Sequence, residues 1–147
     1  MTEENTESTT TPIYASQDDV APLCTFVDDD ASDELFSRAL IMADGWVNQR
    51  LSSNSLTIWT ETTVDPVPSA LNVAATYYAV SDIVLSLYQG EDMLTQRDIW
   101  LQKAELMLDG YITQKLDELA TTELARKNPV KHRNAQTYYE RRGRKRL

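Results

Sequence analysis

The side chains in this sequence that could do chemistry are few, and their spacing argues against an active site. The single histidine, His132, falls in the last 22 residues among arginines and lysines. A nucleophilic triad needs its histidine buried and oriented by an acid, and that stretch offers no core to hold one. The single cysteine, Cys24, excludes an intrachain disulfide. Its neighbours Val20, Leu23 and Phe26 suit a small core residue better than a reactive thiol. One cysteine and one histidine cannot make a structural zinc site. The acidic run from Asp28 to Glu34 is the best calcium candidate. However, an EF-hand loop opening at Asp28 would need glycine where Asp33 stands and glutamate where Ala39 stands. Carboxylates favour a helix N-terminus, which explains the run more simply. The pairs Glu91/Asp92 and Asp117/Glu118 are adjacent in sequence, so on a helix they diverge rather than share a pocket. Neither a G-x-G-x-x-G nor a phosphate-binding loop is present. The expectation is a protein that is not an enzyme and holds no cofactor and no metal.

The strongest signal is the placement of charge. Residues 1–125 hold 22 Asp/Glu against five Lys/Arg, a formal −17; residues 126–147 hold nine Lys/Arg against one Glu, a formal +8. An acidic body repels nucleic acid, so any phosphate contact falls to the tail. Arginines outnumber lysines six to three there. Arginine suits bidentate pairing with carboxylate or phosphate and stacking on aromatic rings. The tail residues expected to bind a partner are Tyr138, Tyr139, Arg141, Arg142, Arg144, Lys145 and Arg146. The shortage of lysine in the body, with its many Asp and Thr, also fits adaptation to high salt.

The elements that must carry these groups read as mainly α. Residues 1–12 are a polar Ser/Thr/Glu-rich extension with the composition of a disordered segment. They lack the apolar stretch of a secretory signal. Ser16 is a plausible N-cap for a short helix ending near Pro22. From Asp33 to Leu51 the apolar positions Leu35, Phe36, Ala39, Leu40, Ala43, Trp46, Val47 and Leu51 keep helical spacing. Ser52-Ser53-Asn54-Ser55 is turn chemistry, and Leu56–Thr60 is β-branched and aromatic, the mark of a short strand or extended arm. Within it, Ile58 and Trp59 are the expected subunit-interface residues, because an exposed aromatic there can anchor a neighbouring chain. After Pro66 and Pro68, a helix over Ser69–Tyr88 is apolar around most of its circumference and so belongs at the centre, with Tyr77, Val84 and Leu87 inaccessible. The third long helix is predicted over Thr95–Leu124, with Thr95 and Asp98 resembling a capping box. At 1.5 Å per residue it is on the order of 45 Å long, more than a three-helix core needs, so part of it is expected to project. No run of 18 apolar residues occurs, so no membrane span is expected. The predicted architecture is a three-helix bundle with a short N-terminal helix, an irregular insertion after the first long helix, and an extended basic tail. The domain occupies 13–125 and the tail 126–147.

This order resembles the head–tail connector, or adaptor, proteins of tailed phages and archaeal tailed viruses. The resemblance covers roughly residues 13–125. It rests on the opening Tyr14-Ala15-Ser16-Gln17-Asp18-Asp19-Val20, the acidic turn, the helix to Leu51, the irregular insertion, the Ala/Tyr-rich Leu71-Asn72-Val73-Ala74-Ala75-Thr76-Tyr77-Tyr78, and the long last helix with its tail. It implies a homo-oligomeric ring, twelve-fold in that family, seated under the portal at the capsid vertex. Such a ring joins a downstream neck or tail protein and passes genome DNA through its channel. The implied location is the virion, after synthesis in a host cytoplasm, and the implied role of the basic tail is to reach the portal. The alternative reading is a small helical nucleic-acid-binding regulator with a basic C-terminal arm. Its recognition helix would need exposed basic and amide side chains, whereas the three helices offer only Arg38, Arg50, Arg97, Lys103 and Lys115 among many acids.

Overall fold

The computed structural model describes residues 11–27, 32–87 and 91–127. The polar extension up to residue 10, the acidic run at 28–31, residues 88–90 and the tail from residue 128 lie outside the described residues. Within them the chain is mainly helical: α1 (Gln17–Val20), α2 (Ser32–Ser53), α3 (Ser69–Leu87) and α4 (Glu91–Lys127), with a 3-10 turn over Ala21–Leu23. Two compact units are present, one through Ile112 and one from Thr113, so α4 contributes to both.

Local chemistry sets the ends of these elements. Ser16 opens α1, where the Asp19 carboxylate accepts from the Ser16 N–H at 2.9 Å and the Ser16 hydroxyl at 3.0 Å. As expected, α1 ends near Pro22, at Val20, and the 3-10 turn over Ala21–Leu23 carries the proline near its start. The serine-rich turn closes α2 as a Schellman motif. The Leu56 N–H returns to the Leu51 carbonyl at 2.9 Å and the Ser55 N–H to the Ser52 carbonyl at 3.0 Å, with Ser55 left-handed at φ 57°. Asn54 Nδ2 and Ser53 Oγ satisfy two more carbonyls of that last turn, those of Arg50 and Gln49. The Pro68 carbonyl accepts the N–H groups of Leu71 and Asn72 at 3.1 Å each, which launches α3.

In the first unit α2 and α3 form the close pair. Ala39 and Ala43 on α2 and Ala74, Ala75 and Ala79 on α3 are buried, and small side chains let two backbones approach. Larger groups fill the flanks: Leu51, Leu71, Val80 and Ile83, with Leu108, Tyr111 and Ile112 from α4. Aromatic pairs add to this packing. Trp46 stacks on Tyr78 at 4.6 Å, and Tyr77 meets Trp100 at 5.4 Å. An exposed ion pair, Arg50 to Asp109 at 3.5 Å, also links α2 to α4. The polar groups buried in α3 are satisfied within the helix: Thr76 Oγ1 donates to the Asn72 carbonyl and Ser81 Oγ to the Tyr78 carbonyl.

Leu56–Thr60 takes the irregular form of the two expected for it, and no strand occurs among the described residues. Two other expectations are corrected. The last helix begins at Glu91, a turn before Thr95, so Thr95 and Asp98 lie inside it and not at its start. The buried face of α3 ends at Val84, which is 2% exposed; Tyr77 is half-buried and Leu87 is 41% exposed. By length and composition α3 is also long and apolar enough to cross a membrane; seven of its nine buried residues are apolar and belong to the core. Leu87→Ala is accordingly expected to cost about 1 kcal/mol, not the 2–5 kcal/mol of a core leucine. Urea unfolding checks this, and a loss above about 3 kcal/mol would place Leu87 in the core after all.

The second unit is described here by residues 113–127 of α4. Its helix is held by local pairs: Glu118 accepts from Lys115 at 3.0 Å and from Gln114 at 3.2 Å, and these bonds hold its carboxyl below the usual range. Leu116, Leu119 and Leu124 are 40%, 51% and 65% exposed.

Candidate interaction site

The residues before α1 and those after α2 meet around one side chain, Tyr14. It is 1% exposed and every polar group it carries is engaged. Its hydroxyl donates to Asn48 Oδ1 at 2.6 Å and accepts the Trp59 N–H at 3.1 Å. Its N–H donates to Asp44 Oδ1 at 3.1 Å, beside the Ile13 N–H on Asp44 Oδ2 at 2.9 Å. Its carbonyl accepts from Asn72 Nδ2 at 2.9 Å, and the same amide reaches Asp19 at 3.0 Å. One tyrosine thus ties the N-terminal segment to α2, α3 and the loop after α2. Burial raises its hydroxyl above the ordinary value, as it raises the Asp44 carboxyl against the two backbone bonds that pull the other way. The hydrogen bonds at Asp19 hold that carboxyl low.

This hub fixes Trp59. Its ring meets Tyr14 edge-on at 6.5 Å, and its Nε1–H donates to the Asp65 carbonyl at 3.2 Å. The turn beyond it is braced by Thr63, whose hydroxyl accepts the Thr60 N–H at 2.9 Å. Between this loop and residues 11–13 opens a cavity of about 370 Å³, lined among others by Pro12, Ile13, Trp59, Glu61, Asp65 and Val67. The Glu61 and Asp65 carboxylates are in exposed residues and have no partner among the described residues.

The residues singled out from sequence distribute as follows. Ile58 is 38% exposed, while Trp59 is half-buried and engaged with its own chain, so it forms a wall of the cavity rather than a free anchor. Tyr138, Tyr139, Arg141, Arg142, Arg144, Lys145 and Arg146 lie outside the described residues, as does His132. Cys24 is buried, and desolvation pushes its thiol up to about 11, so it stays protonated and unreactive near neutrality. Among the described residues no group of three or more His, Cys, Asp or Glu is placed to hold a metal.

Sequence reading missed Asp44, Asn48 and Asn72. The signal was present: Asp44 lies next to Ala43 and one turn before Val47 and Asn48, where a solvent-facing acid is out of place.

The fold and this site define a mainly helical protein whose polar network organises a surface loop beside an acidic, tryptophan-walled cavity. Comparison with protein-family models, with curated proteins and with solved structures finds no match to this chain.

Proposed function

We propose that this chain is a head–tail connector, a non-catalytic structural protein of a tailed virus that assembles as a ring under the portal. In this reading the finer fold is a three-helix bundle of α2, α3 and α4, with the irregular insertion at 54–68 facing a neighbouring subunit and the basic tail extending from α4. The ring, twelve-fold by the resemblance, joins the portal above to a neck or tail protein below and passes genome DNA through an acidic channel. Like charge discourages DNA from sticking to such a wall. The virion is then its location, after synthesis in the host cytoplasm.

The observation that carries the reading is the far part of α4. Leu116, Leu119 and Leu124 stand in solvent on a helix that continues into a strongly basic segment. Leucines at helical spacing on an exposed surface mark an association face. Ring closure beyond a dimer requires head-to-tail contacts between two different patches. That face and the Ile58 loop are the two patches proposed.

Substituting Gln for Leu116, Leu119 and Leu124 together is expected to keep helix content and to weaken self-association by at least about a hundredfold, since each leucine withdraws roughly 1–2 kcal/mol of apolar burial. Sedimentation of the wild-type protein and the triple variant, alone and with portal, measures this. A wild-type protein that stays monomeric in both settings would remove the ring reading.

A further inference from the structure

We propose that the cavity beside Trp59 is a receptor for arginine and lysine side chains, filled by residues 126–133 of a second copy of this chain.

Its chemistry selects a cation on an apolar stem. Pro12, Ile13 and Val67 supply apolar walls, and Trp59 supplies an aromatic wall held in place through Tyr14 and the Asp65 carbonyl. Glu61 and Asp65 add two carboxylates without partners among the described residues. An anion would be repelled, and a purely apolar ligand would strip water from those carboxylates and return nothing. A guanidinium or ammonium group satisfies them while its methylenes cover the walls.

The other two tryptophans show the pattern that Trp59 lacks. Arg50 lies over the Trp46 ring at 5.9 Å, and Lys103 over the Trp100 ring at 4.7 Å. Trp59 has acids around it and no cation over its ring among the described residues. A cation over an indole is stabilised by the ring quadrupole, and here the acids would reinforce it.

The acidic body can hardly supply that cation itself. Of its five Lys/Arg, Arg50 and Lys103 cover tryptophans, Arg97 and Lys115 pair with Asp98 and Glu118, and Arg38 faces the Asp82 carboxyl, which burial raises and the Arg38 charge pulls down. Nine of the chain's 14 Lys/Arg fall in residues 126–147. The first part of that segment carries Arg126, Lys127, Lys131 and Arg133 around Pro129-Val130, an apolar pair matched to Ile13 and Val67. An acidic receptor and a basic segment on one chain form a head-to-tail pair, the kind of contact a ring requires. The proposal rests on the self-association reading, and it leaves Tyr138 to Arg146 for the portal.

Charge reversal tests it in the full-length chain. One variant carries Glu61→Lys and Asp65→Lys. The other carries Arg126→Glu, Lys127→Glu, Lys131→Glu and Arg133→Glu. Each alone is expected to self-associate roughly ten- to a hundredfold more weakly than wild type, as lost charge pairs and a cation–π contact imply. Mixed one to one, they should regain association, because each then offers the other a complementary partner. Circular dichroism checks that both stay folded, Glu61, Asp65, Arg126 and Lys127 being exposed. Variants that assemble as wild type, or a mixture that regains nothing, overturn the receptor while leaving the ring reading standing. A wild-type protein that never self-associates overturns both.

Discussion

Asp44→Ala is expected to destabilise the protein by about 2–4 kcal/mol and to loosen the segment before α1. Asp44 is 8% exposed and its two carboxylate oxygens accept the N–H groups of Ile13 and Tyr14 at 2.9 and 3.1 Å. Truncation leaves both donors without a partner, and each such buried donor costs roughly 1–3 kcal/mol. Relief from burying a carboxylate offsets part of that, so the net lies below the simple sum. Tyr14 would lose its register, and with it the Trp59 N–H and the Asn72 amide would lose theirs. Asp44→Asn separates charge from hydrogen bonding, since an amide offers one acceptor and turns an NH₂ against the second N–H.

The pH dependence follows from the same environment. Burial raises the Asp44 carboxyl above its ordinary 3.8. Its favourable contribution is therefore full below that value and falls as pH rises through the raised one. Asp19 runs the other way: its carboxyl is held low by the Ser16 and Asn72 bonds, so its contribution is full above 3.8 and is lost as pH falls through the depressed value. Wild type minus Asp44→Asn should thus give a stability gap that is widest near pH 4 and narrows toward neutrality. A gap that widens with pH would mean that the folded state favours the charged carboxylate. Urea midpoints at a series of pH values decide it.

How far the fold was legible depended on which force set each element. Helical spacing from Leu35 to Leu51 reflects burial along one face, and the apolar run from Ala70 to Val84 reflects a helix buried around most of its circumference; local sequence records both directly. The Ser52–Ser55 stop could also be read, because a Schellman turn is built from its own residues. Leu56–Thr60 left two readings open, strand or irregular arm, since β-branched groups favour extended backbone, but a strand needs an edge to pair with and none of the described elements provides one. Leu87 misled for a related reason: periodicity identifies the apolar face of α3 but not where its partners end. The Tyr14 hub was least legible, because its bonds join residues 30 to 58 positions apart, and nothing local announces them. Glu61 and Asp65 carried no signal in sequence; only the fold places them in the same cavity lining as Trp59.

Deleting residues 126–147 is expected to leave the helical body folded and to abolish assembly with the portal. The buried core ends at Ile112 among the described residues, so the thermal midpoint and helix content should hold. The deleted segment carries +8 against the body's −17. Its exposed charge pairs give only about 0–1 kcal/mol each, and ordering a long segment costs chain entropy. Docking therefore needs several contacts at once, with Tyr138 and Tyr139 filling shallow apolar sites while Arg141, Arg142, Arg144, Lys145 and Arg146 pair with carboxylates or backbone carbonyls. A shorter deletion, 134–147, sharpens the test: it should lose the portal yet keep self-association, because Arg126 to Arg133 survive. The rival outcome is a tail that grips phosphate. It would show as binding to any duplex, with log affinity falling against log salt by about 0.9 for each phosphate neutralised. If the intact protein binds duplex DNA in that way, and the chain lacking 126–147 still joins its portal, the tail is a nucleic-acid arm and the docking role is wrong.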